Sequence, residues 1–259
     1  MEDTVMPDET KVIIIAAGMG NRLNPLTGNT PKCMLDFAGK TLLQRQLDAY
    51  IACGISDFAL IRGFMKEKIN YSGIRYYENS DYKNNNILAS LFYAKQEIQG
   101  HVIVSYSDIL FENRIVEQLL QSDADISIVV DTDWRKYYVG RKDHPIEEAE
   151  NVILDDEDNA IEIGKNLTNK SEASGEYIGM LKFSPKGAEI FKNHYERAQE
   201  RFAGKPFQRA QLFEKAYLTD LIQEMIDSGI KIKCVTVEQG WKEIDTVEDY
   251  TKAVAALDA

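Results

Sequence analysis

The chain has 259 residues, 44% of them hydrophobic and 28% charged, and a formal net charge of −12 at pH 7. That length can bury a substantial core in one large domain, whereas no apolar stretch approaches the roughly 20 residues of a membrane-spanning helix. The acidic balance argues against broad binding to nucleic acid or to an anionic membrane, so neither is expected as a partner.

Residues 1–10 are polar and acidic, unlike a signal peptide, and read as a flexible tail ahead of a single domain over 11–259. The run Lys11-Val-Ile-Ile-Ile-Ala-Ala reads as a buried strand of parallel type. Small residues follow and open a glycine-rich loop that closes on Pro31-Lys32. A helix over 41–53 is signalled by Leu43, Leu47, Tyr50 and Ile51, with Gly54 as its stop, and a second strand follows over 58–62. Together these make a right-handed β-α-β unit. A short strand over 74–77, a polar loop over 78–86, a helix over 87–99 and a strand over 101–106 come next, the last ending at Ser107-Asp108. Residues 115–121 read as a helix and 126–130 as a strand. An antiparallel pair over 152–155 and 160–163 turns at 156–159 and reads as an extension over the active site. Residues 180–183 return to the sheet, 185–202 and 210–228 read as helices, 230–235 as a strand and 247–257 as a closing helix.

The loop after the first strand, Ala16-Ala17-Gly18-Met19-Gly20-Asn21-Arg22-Leu23-Asn24-Pro25-Leu26-Thr27, carries the most chemistry. Its small residues let backbone N–H groups approach a polyphosphate, and Arg22 and Lys32 add positive charge on either flank. A dinucleotide fingerprint would need a small residue where Leu23 stands, and no Gly-Lys-Ser/Thr follows to make a Walker loop.

Ala-Ala-Gly-x-Gly-x-Arg-Leu-x-Pro-x-Thr with the later Pro-Lys resembles the signature loop of the nucleotidyltransferases that make NDP-sugars and CDP-alcohols. The resemblance runs from about Lys11 to Tyr250. Four segments, Asn86-Ile-Leu-Ala-Ser90-Leu, Tyr137-Tyr-Val-Gly-Arg141-Lys-Asp-His-Pro145, Gly175-Glu-Tyr-Ile-Gly179 and Tyr217-Leu-Thr-Asp-Leu-Ile222, are more similar to the phosphocholine and phosphonate cytidylyltransferases. The second is similar to the transferase domain fused to phosphoenolpyruvate mutase. The resemblance implies an α/β fold, a Rossmann-like three-layer sandwich of nucleotide-diphospho-sugar transferase type, with a mostly parallel mixed sheet and a small β-rich lid. It also implies a Mg²⁺-dependent transfer of CMP from CTP to a small phosphonate or phospho-alcohol, with release of pyrophosphate. A homodimer and a fusion to a phosphoenolpyruvate mutase domain are both open arrangements.

Asp108, at the carboxyl end of a predicted parallel strand, faces the loop and suits Mg²⁺. If 243–245 is extended, Glu243 and Asp245 point the same way; Asp245-Thr-Val-Glu248 also fits a helix capping box. The resembling family uses an acid near this point as a metal ligand. The nucleophile, a phosphate or phosphonate oxygen, is already ionised, so no general base is required. The catalytic expectations are Arg22 and Lys32 for triphosphate charge and Lys165 for the acceptor phosphate. Ala16, Ala17, Gly18, Gly20, Asn21 and Ser107 complete the expected nucleotide site; Asn86 and Ser90 either cap a helix or line the base pocket. For the acceptor, Trp134, Tyr137, Tyr138 and Tyr177 beside Asp131, Asp133 and Glu176 suit a small cation, and Arg141 and His144 are candidates for phosphonate oxygens. Rival readings are a sugar-1-phosphate nucleotidylyltransferase, a glycosyltransferase using Asp131-Thr-Asp133 as an Asp-x-Asp metal motif, and a non-catalytic nucleotide-binding module. Cys33, Cys53 and Cys234 lack metal-ligand spacing and read as reduced thiols, with Cys33 as packing, so a cytoplasmic protein is expected.

Overall fold

The computed structural model describes residues 9–167 and 172–257. Its strands are β1 (Thr10–Ala16), β2 (Asp36–Phe37), β3 (Lys40–Thr41), β4 (Asp57–Arg62), β5 (Ile74–Glu78), β6 (His101–Tyr106), β7 (Ile109–Phe111), β8 (Ile126–Asp131), β9 (Asn151–Leu154), β10 (Ala160–Gly164), β11 (Gly175–Phe183), β12 (Lys233–Val237) and β13 (Trp241–Glu243). Its helices are α1 (Leu42–Ala52), α2 (Ile87–Leu91), α3 (Asn113–Leu120), α4 (Pro185–Phe202), α5 (Leu218–Asp227) and α6 (Val247–Leu257). The expected tail lies outside the described residues over 1–8, and Thr10 already belongs to β1.

The central sheet runs β10-β9-β11-β6-β1-β4-β5, with β8 and β12 attached through β11. Strands β6, β1, β4 and β5 are parallel, whereas β11 is antiparallel to β6, β8 and β9. Alternation along β1 divides the core. Ile13 and Ile15 face a cluster with Leu88, Phe191 and Leu221, while Val12, Ile14 and Ala16 face Leu47, Tyr50 and Val116. Helices therefore cover both faces, as a parallel sheet requires.

Strand β11 shifts register against β8 between Tyr177 and Leu181. Gly179 sits in that shift with φ +83°, and a Cβ there would stand 2.5 Å from the Tyr106 ring, so glycine alone fits. The irregularity falls where Glu176 to Gly179 line the cleft described below.

Two helix expectations change. The segment after Asn86 is α-helical only to Leu91 and continues as a 3₁₀ turn over Phe92–Glu97, kinked at Ala94. Residues 210–217 form no α-helix: they hold only a single 3₁₀ turn over Phe213–Lys215, with Phe213 and Ala216 buried and Leu212 exposed. α5 starts after Tyr217, where the Asp220 carboxylate reaches back to the Tyr217 N–H at 2.8 Å. The antiparallel pair expected over 152–163 is β9–β10, and it continues the central sheet past β11. The strand expected over 230–235 runs instead from Lys233 to Val237. The small pairs β2–β3 and β7–β13 were not expected.

Candidate active site

A cleft of about 410 Å³ opens at the carboxyl ends of β1 and β6, where open α/β sheets place ligands. Ala16, Ala17, Gly18, Gly20, Asn21, Arg22 and Lys32 all line it, as do Asn86, Ser90, Ser107 and Asp108. Gly20 has φ +62°, and a Cβ added there would lie 3.1 Å from Lys32 Cβ, so the two ends of the loop meet closely at this glycine. Thr27 closes the same turn, its hydroxyl donating to the Gly20 carbonyl at 2.8 Å. Leu23 is fully buried in a cluster with Phe37, Leu42 and Ile244. One apolar contact group thus anchors both the loop residue after Arg22 and the residue between Glu243 and Asp245.

Consequently the cations meet carboxylates. Lys32 Nζ donates to Asp108 Oδ2 at 2.9 Å and to Asp245 Oδ1 at 2.5 Å, and Arg22 donates to Asp245 Oδ2. Burial alone would lower the Lys32 pKa, but Asp108, Asp245 and Glu243 overcome it and raise the group well above its ordinary value. Burial would likewise raise Asp245, yet Lys32 and Arg22 hold it far below the carboxylate range. For Glu243 the balance goes the other way: burial, then Asp245 and Asp108, outweigh Lys32 and Arg141 and push it up. The turn carrying Asp108 is braced on both sides, because the Gln46 amide donates to the carbonyls of Tyr106 and Ile109 at 2.9 and 2.7 Å. The Ile244 N–H donates to the Asp108 carbonyl at 2.8 Å, which ties the two acidic segments together.

The acidic pair does not cap α6 through Asp245 and Glu248. Thr246 and Asp249 form the reciprocal cap, Asp249 Oδ2 accepting from the Thr246 N–H and Thr246 Oγ1 from the Asp249 N–H. The box is displaced by one residue, which leaves both Asp245 oxygens for Lys32 and Arg22. Asn86 is the N-cap residue of α2, its Oδ1 accepting from the Ile87 N–H, while its amide donates to the Lys215 carbonyl; Ser90 accepts from the Asn79 amide at 2.7 Å.

At the other end, Lys165 donates to Glu148 at 3.0 Å and lies 4.8 Å from the centre of the Tyr217 ring. Glu150 accepts from Thr219 at 2.7 Å and from Tyr106 at 3.3 Å, and burial raises its pKa. Glu176 accepts from Tyr138 at 2.6 Å; among the described residues its other oxygen is buried without a partner, and burial pushes the group well up. Glu148, Glu150, Tyr106 and Tyr217 were missed as site residues. Glu147-Glu148-Ala-Glu150 reads in sequence as a solvated charge run, and nothing local signals that Glu150 faces inward.

Four acceptor expectations are corrected, because these side chains do not line the cleft. Asp131 is 1% exposed and binds its own surroundings: Trp241 Nε1 at 2.8 Å, the Asp133 N–H at 2.8 Å and the Gln239 N–H at 3.1 Å. Trp134 packs with Tyr138, Ala149, Ile153, Leu167 and Ala173. Tyr138 reaches the site through Glu176 and an edge contact with the His144 ring. Arg141 is buried against Asp249. Asp133 binds Lys136 and Gln239, so Asp131-Thr-Asp133 is a structural turn and not an Asp-x-Asp metal motif. Burial pushes the Cys33 thiol up to about 12, in keeping with a packing residue.

The residues present fit a divalent cation. Among the described residues, Asp108, Glu148, Glu150, Glu176, Glu243 and Asp245 line the cleft with Arg22, Lys32 and Lys165 as its Lys and Arg cations, an excess of acid that would repel a polyanion. Asp108 Oδ1 is buried without a partner among the described residues. Among the described residues, His144, Glu243 and Asp245 place ligand atoms within 4.8 Å of one another. Burial, then the Arg141 guanidinium, lower His144 to about 4, so it is neutral at physiological pH. Hard carboxylate oxygens suit Mg²⁺; His144 was not among the metal candidates in the sequence.

No helix of the described residues is long and apolar enough to cross a membrane. The chain is 30% identical over 248 residues to the CTP:phosphoglutamine cytidylyltransferase of Campylobacter jejuni, covering 92% of this chain and 96% of the relative. It is 27% identical to the 2-aminoethylphosphonate cytidylyltransferase of Lancefieldella rimae over 61% of this chain and 62% of that one. The solved structure of CTP:phosphocholine cytidylyltransferase from Streptococcus pneumoniae superposes with a TM-score of 0.73 at 23% identity, covering 96% of this chain and 99% of that one, which shows the shared Rossmann-like fold. Residues 12–170 match the family model of the MobA-like NTP transferase domain, and the chain belongs to that family of nucleotidyltransferases.

Proposed function

We propose that the protein transfers CMP from CTP to the phosphate or phosphonate oxygen of a small acceptor that carries an amine, releasing pyrophosphate. The observation that carries this reading is the division of one cleft into two ends. One holds the glycine loop, Arg22, Lys32 and three acids; the other holds Lys165 beside Glu150, Glu176 and aromatic rings.

Asp108, Glu243 and Asp245, with His144 beside them, would hold Mg²⁺. When bound, the ion neutralises the acids and supplies positive charge to the α-phosphate. Arg22, Lys32 and the loop amides spread charge over the triphosphate and stabilise the departing pyrophosphate. Lys165 orients the acceptor's anionic oxygen, which forms the new bond to the α-phosphorus as the bond to the pyrophosphate oxygen breaks. That oxygen is ionised at neutral pH, so positioning and electrostatics suffice. Glu176, with its unpartnered oxygen, and Glu150 favour an ammonium group flanked by the rings of Tyr177 and Tyr217. A neutral hexose would leave both acids uncompensated. The names of the relatives, whose acceptors are phosphoglutamine and 2-aminoethylphosphonate, support the same class.

The test is pyrophosphate release with Mg²⁺ and each nucleoside triphosphate. The acceptor panel is 2-aminoethylphosphonate, 2-hydroxyethylphosphonate, phosphocholine, phosphoglutamine and glucose 1-phosphate. CTP with an amine-bearing acceptor is expected; a preference for UTP with glucose 1-phosphate overturns the reading.

A further inference from the structure

Arg141 lies outside the cleft, yet it touches each piece that carries the acidic pair. Its Nε and Nη2 form a fork to Asp249 at 2.7 and 2.9 Å, with both side chains almost wholly removed from solvent. Nη2 also lies 3.2 Å from Glu243 Oε2 and 2.9 Å from His144 Nδ1. Asp249 in turn accepts from the backbone N–H groups of Asp245 and Thr246. The guanidinium lies 4.6 Å from the centre of the Tyr137 ring, and the Tyr137 hydroxyl donates to the Glu243 carbonyl at 2.7 Å.

The side chain of Glu243, the backbone on both sides of Ile244 and the ring of His144 thus converge on one planar cation. We propose that the Arg141–Asp249 pair is a positioning device that presets Glu243 and Asp245 to receive a divalent cation. This rests on the reading that those two residues hold the metal. Only a guanidinium can make the fork to one carboxylate and still reach a second acid and an imidazole; a lysine ammonium is a point charge without that geometry. Charge alone predicts the opposite of positioning. A cation 3.2 Å from a ligand carboxylate opposes metal binding, so its removal would tighten the ion, whereas loss of a brace that orients ligands loosens it, by about 10–100-fold. The direction of the change therefore separates the two.

The experiment measures Mn²⁺ binding by water proton relaxation, with α,β-methylene-CTP present, for the wild type, Arg141→Lys and Arg141→Met, with folding checked by near-ultraviolet circular dichroism. Both folded variants are expected to bind Mn²⁺ at least about 10-fold more weakly. The activation constant for Mg²⁺ should rise while the KM for CTP at saturating metal stays unchanged. If the methionine variant does not fold, the charge-preserving lysine variant decides alone. Binding of Mn²⁺ to Arg141→Lys within about twofold of wild type, or tighter binding to Arg141→Met, overturns the proposal and leaves the metal reading intact. A wild type that holds no Mn²⁺ overturns the metal reading itself, and this proposal with it.

Discussion

Asparagine at position 245 tests how the cations and carboxylates of the cleft are coupled. Asp245 is bound by both Lys32 and Arg22, so the groups assigned to the triphosphate are already occupied when the cleft is empty. The lysine side chain is only 11% exposed, so its ion pair is weakly screened, while Arg22 is 48% exposed and contributes less. A hydrogen bond to a charged group is worth about 1.5–3 kcal/mol. Lys32 keeps its contact to Asp108 when Asp245 is changed, so the lower figure applies, about 1.5 kcal/mol. At about 1.4 kcal/mol per factor of ten, Asp245→Asn should bind CTP about 10-fold more tightly without metal. The same change removes one carboxylate from the metal set, so turnover with Mg²⁺ should fall by about 10²–10³. Trp241 lines the cleft, so its fluorescence can follow CTP titrations in EDTA, and pyrophosphate release gives the rate. Unchanged or weaker metal-free affinity in the variant would refute the claim that Asp245 restrains the cations, and undiminished turnover would remove it from the metal set.

Leu23→Ala deletes a fully buried side chain and should cost about 2–5 kcal/mol in urea denaturation, with a raised KM for CTP because Arg22 loses its anchor. Glu176→Gln should raise the KM for 2-aminoethylphosphonate about 10-fold or more, while that for 2-hydroxyethylphosphonate moves little; equal effects would argue against an ammonium contact. His144 is neutral in the folded chain down to about pH 4, but titrates near its ordinary value of 6.5 when unfolded. The unfolded state therefore binds the proton first as pH falls, and folding stability is lost between about pH 6.5 and 4. At about 1.4 kcal/mol per pH unit the loss reaches about 3 kcal/mol. His144→Gln should flatten that part of the stability profile.

The loop, the strand before it and the acid at the end of β6 were legible because each depends on neighbours in sequence. An apolar run, small residues and two flanking cations need only local spacing to be read, and the sheet's alternation placed the core on both faces of β1. Asp108 could be located because a strand end is a local feature. The cap at Thr246 and Asp249 shows the limit of such reasoning, since the local pattern pointed to Asp245 and Glu248, one residue earlier.

What tertiary structure alone decided was how distant charges were paired. Asp131, Trp134, Tyr138 and Arg141 carry the residue types of an acceptor site, but their partners, Trp241, Ala149, Glu176 and Asp249, lie elsewhere in the chain. Composition cannot tell an arginine facing a ligand from one buried against an aspartate 108 residues away. Glu150 passed unnoticed for the same reason: burial is a property of the packed sheet, and only packing turns a polar run into a wall of the cleft.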